Sequence, residues 1–150
     1  MKTALEKNAF EPYFIRDLGR VYFLDGRYPE ALNILQGFKS MAPNNPKRLF
    51  YLGRTQMKMG LFNDAAEAFE KLISLYPDYA QTYYFLGVTY GKLKRLNYVH
   101  FYLGVYYKMI LDYKNAAFHL ENALKTMDDM GKRVKIEVML VEIRKEKKQN

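Results

Sequence analysis

His100, His119, Ser40 and Ser74 are the side chains in this 150-residue sequence with the best claim to proton-transfer or nucleophilic chemistry. The two histidines have no carboxylate at metal-ligand spacing and form no His-Glu-x-x-His pair, so a core or surface role is expected for both. Neither serine has a histidine partner in view, which leaves a serine triad without support. Asp128-Asp129 lacks the alternating oxygen ligands of a calcium loop. The nine glycines are spread along the chain rather than clustered after a strand as in a phosphate loop. The absence of cysteine excludes disulfides, thiolate zinc sites, iron–sulfur clusters and cysteine nucleophiles together. The expectation is a chain that is not an enzyme and that holds neither metal nor cofactor.

What the glycines do instead appears when the chain is compared with itself. Leu18-Gly19, Leu52-Gly53 and Leu86-Gly87 are evenly spaced, 34 residues apart. Gly26 and Gly60, Tyr28 and Phe62, Ala31 and Ala65, and Pro43 and Pro77 share that offset. Within one unit Ile15, Leu18 and Tyr22, then Tyr28, Ala31, Leu35 and Phe38, follow helical three-and-four spacing with Asp25-Gly26 between them as a breaker. Each unit therefore reads as a helical hairpin, with Gly19 and Ala31 at the contact and Pro43 ending the second helix.

This pattern of Leu-Gly, Tyr, Gly, Tyr or Phe, Ala and Pro resembles the tetratricopeptide repeat family over roughly residues 12 to 126. The resemblance implies an all-α fold, a right-handed superhelical array of about eight helices in four antiparallel hairpins. A single domain, 1–150, is expected, with repeats at 12–45 and 46–79, an irregular stretch at 80–126 and a capping helix at 131–146. The third unit is irregular because Leu103-Gly104 and Tyr107 repeat a first-helix signature only 17 residues after Leu86-Gly87. Lys94 and Leu111 stand where the earlier units have Gly26 and Gly60. Turns are still expected there, because Asn97 and Asp112 are good N-terminal caps and a fused helix would leave its apolar stripe uncovered. Gly131 reads as a helix stop. Val134, Val138 and Val141, with Ile136, Leu140 and Ile143, make a face wide enough for self-association as well as capping.

Net charge is +8, and it is unevenly placed. The first-helix segments hold Arg16, Arg20, Lys47, Arg48, Arg54, Lys58, Lys92 and Lys108 against only Asp17, a sum of +7, whereas the second-helix segments sum to −1. The first-helix segments also carry 15 of the 24 Tyr and Phe residues. In proteins that resemble this one, first helices line a concave groove that holds partner peptides. The expected groove residues are Tyr13, Arg16, Arg20 and Phe23, then Lys47, Phe50, Arg54, Met57 and Lys58, then Gln81, Tyr84 and Val88. Arginine forks and aromatic faces suit an acidic, partly apolar peptide.

The family's clamp for heat-shock chaperone C-termini is not expected here. Arg16 could stand in for one of its lysines, but Arg20, Tyr51, Gln81 and Phe85 occupy places where the clamp wants asparagine, asparagine, lysine and arginine. The function expected is a non-catalytic interaction scaffold. The alternative is a substrate-handling tail of a larger enzyme, such as a bacterial envelope zinc metalloprotease, whose repeats look similar around Arg16 to Tyr22 and Asp112 to Ala117. Nucleic acid is the least favoured partner, since no recognised binding module is present. No apolar run approaches the ~18 residues of a membrane span, and Glu6, Lys7 and Asn8 break the stretch a signal peptide would need. A soluble, cytoplasmic protein is the default expectation, periplasmic under the protease-tail alternative.

Overall fold

A computed structural model describes residues 12–37 and 39–149, with the side chains of residues 12, 13, 15 and 16 outside that description. Every regular element among the described residues is an α-helix: α1 (Pro12–Leu24), α2 (Tyr28–Gly37), α3 (Pro46–Lys58), α4 (Phe62–Leu75), α5 (Ala80–Lys92), α6 (Leu96–Met109), α7 (Tyr113–Thr126) and α8 (Met130–Gln149). The chain divides into two compact units at Tyr76 and Pro77. Proline has no N–H to donate and restricts the residue before it. α4 accordingly stops at Leu75, and Tyr76 adopts φ −135° and ψ 71°.

The first unit holds α1 to α4. Helices pair where a glycine removes the side chain between them: a Cβ on Gly19 would stand 2.5 Å from Leu35, and one on Gly53 would stand 2.6 Å from the Phe69 ring. Leu35 and Phe69 are fully buried, so the helices approach until these side chains fill the glycine gap. Asn45 starts α3, accepting a hydrogen bond from the Arg48 N–H at 3.0 Å, with Pro46 in the first turn where a missing N–H costs nothing. α2 is shorter than its spacing suggests. It ends at Gly37, a residue that holds helical geometry poorly, well before Pro43; Phe38 lies outside the described residues.

The second unit uses the same crossing twice in succession. A Cβ on Gly87 would lie 3.0 Å from Leu103, and one on Gly104 would lie 2.6 Å from Leu120. Leu103 and Gly104 are neighbours on α6, and consecutive residues of a helix diverge by roughly 100°. One helix is thus the second member of the pair with α5 and the first member of the pair with α7. That is how the 17-residue spacing of Leu-Gly motifs is accommodated.

Both expected turns are present, so α5, α6 and α7 are separate helices. All four hairpin turns close with one hydrogen-bond pattern, from Arg27 to Tyr22, Leu61 to Gln56, Arg95 to Tyr90 and Asp112 to Tyr107, at 2.8 to 3.0 Å. The residue before each of these donors is left-handed: Gly26 and Gly60 at φ 73° and 75°, Lys94 and Leu111 at 58° and 64°. Asp112 caps α7, accepting from the Asn115 N–H at 3.1 Å. Asn97 does not begin its helix; α6 starts at Leu96, and Asn97 accepts from the adjacent Tyr98 N–H.

Gly131 is a second correction, because it lies in the first turn of α8 rather than stopping a helix. Asp129 begins that helix, accepting from the Lys132 N–H at 2.9 Å. Arg133 then donates to the carbonyls of Leu124 and Met127, which ties the start of α8 to the end of α7. Ile136, Leu140 and Ile143 are buried, while Val134, Val138 and Val141 are about half exposed. α8 therefore caps with one stripe and shows another.

Candidate functional site

In the first unit two of the expected groove residues, Phe23 and Phe50, meet a third, Arg54. Its guanidinium lies 4.8 Å from the centre of the Phe23 ring on α1 and 5.8 Å from that of Phe50 on its own helix. Phe23 also packs edge-tilted on Tyr51 at 5.5 Å. Both phenylalanines are buried, so their rings serve as core and as the platform beneath the cation. A guanidinium over an aromatic face is attracted by the ring quadrupole, worth ~0.5 to 1 kcal/mol at an exposed site. Arg20, Lys47 and Lys58 are exposed and Met57 is half-buried. Tyr13 and Arg16 fall outside the described side chains.

Gln81, Tyr84 and Val88 belong to the second unit. There Tyr84 is partly exposed and packs on Tyr106 at 5.3 Å and Phe85 at 5.4 Å. Gln81 is exposed and Val88 is half-buried. Nearby is a denser aromatic ladder: Tyr90 stacks on Tyr98 at 5.0 Å and on Tyr102 at 5.5 Å. Arg95 stands over the Tyr98 ring at 4.1 Å, and the Lys132 ammonium from α8 lies 5.3 Å from the same ring.

Two features had no visible signal in the sequence. His100 and His119, on α6 and α7, place their Nδ1 atoms 2.9 Å apart. One ring must donate and the other accept, so at most one of the pair can carry a second proton. Burial first, then the Lys125 ammonium, holds His100 below the ordinary histidine value of 6.5; burial, then His100, does the same to His119. The Tyr107 ring lies parallel to His119 at 5.4 Å. Among the described residues no three His, Cys, Asp or Glu side chains come together as metal ligands. The second feature is Arg48, counted among the first-helix cations but not among the expected groove residues, which is only 3% exposed. Spacing alone does not say which helical positions a neighbour will cover.

Residues 46–79, from the start of α3 to the residue before α5, match the family model for the tetratricopeptide repeat. The same knob-and-glycine crossing and the same turn then recur on both sides of that segment. The chain has the fold of a tetratricopeptide-repeat solenoid, and one of its hairpins matches the family model itself. Solved structures agree on the fold. The crystal structure of MamA matches with a TM-score of 0.69 at 19% identity, covering 97% of this chain and 85% of that one. MamA from Desulfovibrio magneticus RS-1, residue 41 to the end, matches with a TM-score of 0.67 at 14% identity, over 97% and 81%. TTC0263, described as a thermophilic TPR protein of Thermus thermophilus, matches with a TM-score of 0.52 at 24% identity, over 87% and 80%. No curated protein matches the sequence. Among the described residues no helix of this repeat protein is long and apolar enough to cross a membrane.

Proposed function

We propose that this repeat protein is a non-catalytic scaffold whose α1/α3 face binds an acidic, partly apolar peptide of a partner protein. The observation that carries the reading is Arg54, held across the faces of Phe23 and Phe50 with the exposed cations Arg20, Lys47 and Lys58 on the same two helices. A cation already oriented by aromatic packing loses less freedom when it takes a carboxylate. Like charges on the neighbouring helices raise the local concentration of anions and steer their approach.

The test is a salt series of binding to acidic peptides. Arg54→Gln keeps much of the apolar stem and removes the fork; it should weaken binding on the order of tenfold or more, mainly through a faster off-rate. Lys114→Ala, on α7, should leave binding unchanged. Equal affinities for the two variants would refute the α1/α3 reading.

A second observation favours self-association. Val134, Val138 and Val141 are 56, 51 and 47% exposed and follow the three-and-four spacing of one helical stripe. Two copies meeting through α8 would cover it. Sedimentation should then show mass rising with concentration, and Val138→Glu should hold the chain monomeric; a wild-type monomer throughout would rule this out.

A further inference from the structure

The first unit contains a cavity of about 420 Å³ between α2 and α4, with α3 as its floor. Its walls are chemically polarised. Lys39 from beyond α2, Arg48 from α3 and Lys71 from α4 gather at the end of α3 nearest Pro46. The Lys71 ammonium fixes this end by donating to the Pro43 carbonyl at 3.4 Å. At the opposite end, beside the α3–α4 turn, stand Gln56, Asp64 and Glu67. Leu52 lies between the two ends.

Neither end satisfies itself. Arg48 is 3% exposed and its Nε has no hydrogen-bond partner; Gln56 is 5% exposed and its Oε1 has none. A buried polar group without a partner is destabilising, the more so when it is charged. Among the described residues, Lys39, Lys71, Asp64 and Glu67 are not ion-paired with one another. The residues that carry this unpartnered donor and this unpartnered acceptor thus line one slot. They are two helical turns apart, about 12 Å at the helical rise.

We propose that this slot is a second peptide site, separate from the α1/α3 face, that takes a short extended segment carrying an acidic side chain and, three residues on, a basic one. Extended chain advances ~3.3 to 3.6 Å per residue, so those two groups reach Arg48 at one end and Gln56 with the Asp64 and Glu67 carboxylates at the other. The carboxylate accepts from the Arg48 fork, and the ammonium donates to Gln56 Oε1. The apolar stem lies on Leu52. This reading stands whether or not the α1/α3 face binds peptide.

The test titrates the full ¹⁵N-labelled chain with four capped tetrapeptides, Glu-Ala-Ala-Lys, Glu-Ala-Ala-Glu, Lys-Ala-Ala-Lys and Gln-Ala-Ala-Gln, and follows the Arg48 Nε–H resonance. The dipolar peptide should bind on the order of tenfold tighter than the other three and shift that resonance. Arg48→Met should abolish binding; as a guard against misfolding, the exposed-rim variant Lys39→Glu should weaken it by a similar factor. Lys114→Ala, on α7 and away from both proposed sites, should leave it intact. Equal affinity for all four peptides, no movement of the Arg48 resonance, or binding that survives both slot variants would overturn the proposal. Binding lost in Arg54→Gln while both slot variants still bind would overturn it too, by moving the peptide to the α1/α3 face.

Discussion

The two units make the same turn from different residues. In the first unit the left-handed position is Gly26 and Gly60; in the second it is Lys94 and Leu111. A residue with a Cβ pays roughly 1 to 2 kcal/mol for that conformation, and Leu111 recovers little of it, since it is 69% exposed. The second unit tolerates the cost because each turn is only the link between helices already locked by a glycine crossing. Turn and crossing are therefore separable contributions.

Breaking a crossing should have the largest effect. Gly53→Leu drives a side chain into Phe69, which is fully buried and has nowhere to go; the expected loss is about 3 kcal/mol, the upper end for overpacking. Gly87→Ala should cost much less, because Leu103 is only half-buried and needs to yield a few tenths of an ångström. Chemical denaturation measures both. Equal losses would mean that the Gly53 crossing is no tighter than the Gly87 crossing.

Restoring glycine to the second unit's turns sharpens the comparison from the other side. Leu111→Gly should stabilise by about 1 kcal/mol, while Gly60→Ala, where a Cβ meets nothing within 4 Å and only the dihedral matters, should destabilise by a similar amount. A Leu111→Gly variant that melts no higher than wild type would show that the leucine makes a compensating contact.

The smallest effect expected is acid sensitivity confined to the second unit. Both histidines of the chain pair there, and burial lowers the pKa of each from 6.5. The unfolded chain then binds protons that the folded pair resists, so the stability present above 6.5 is lost progressively as pH falls below it. Protection of α6 and α7 amides against hydrogen exchange, relative to the unstructured rate at each pH, should fall between about pH 7 and 5, and His119→Gln should flatten that slope. An unchanged slope in the variant would show that the pair is not the source.

Helix boundaries and the helical hairpin were legible because glycine, proline and apolar spacing act locally, through backbone freedom and a period of about 3.6. The same local logic misplaced Gly131, since a glycine can open a helix when an upstream Asp129 supplies the cap. It placed Lys47 in the groove and left Arg48 out, in keeping with one exposed and one buried side chain, but it gave no sign that the Arg48 charge would be covered by neighbouring helices.

By itself the sequence determined the repeat, the eight helices of the described residues, the crossing glycines and the concentration of cations and aromatics on one helix class, all properties of spacing within a segment. Only the tertiary structure decided that α6 serves two partners, that the two histidines meet, and that Arg48 and Gln56 face one slot unsatisfied. Those outcomes depend on which helix faces come together across long separations in the chain, and no local period encodes that choice.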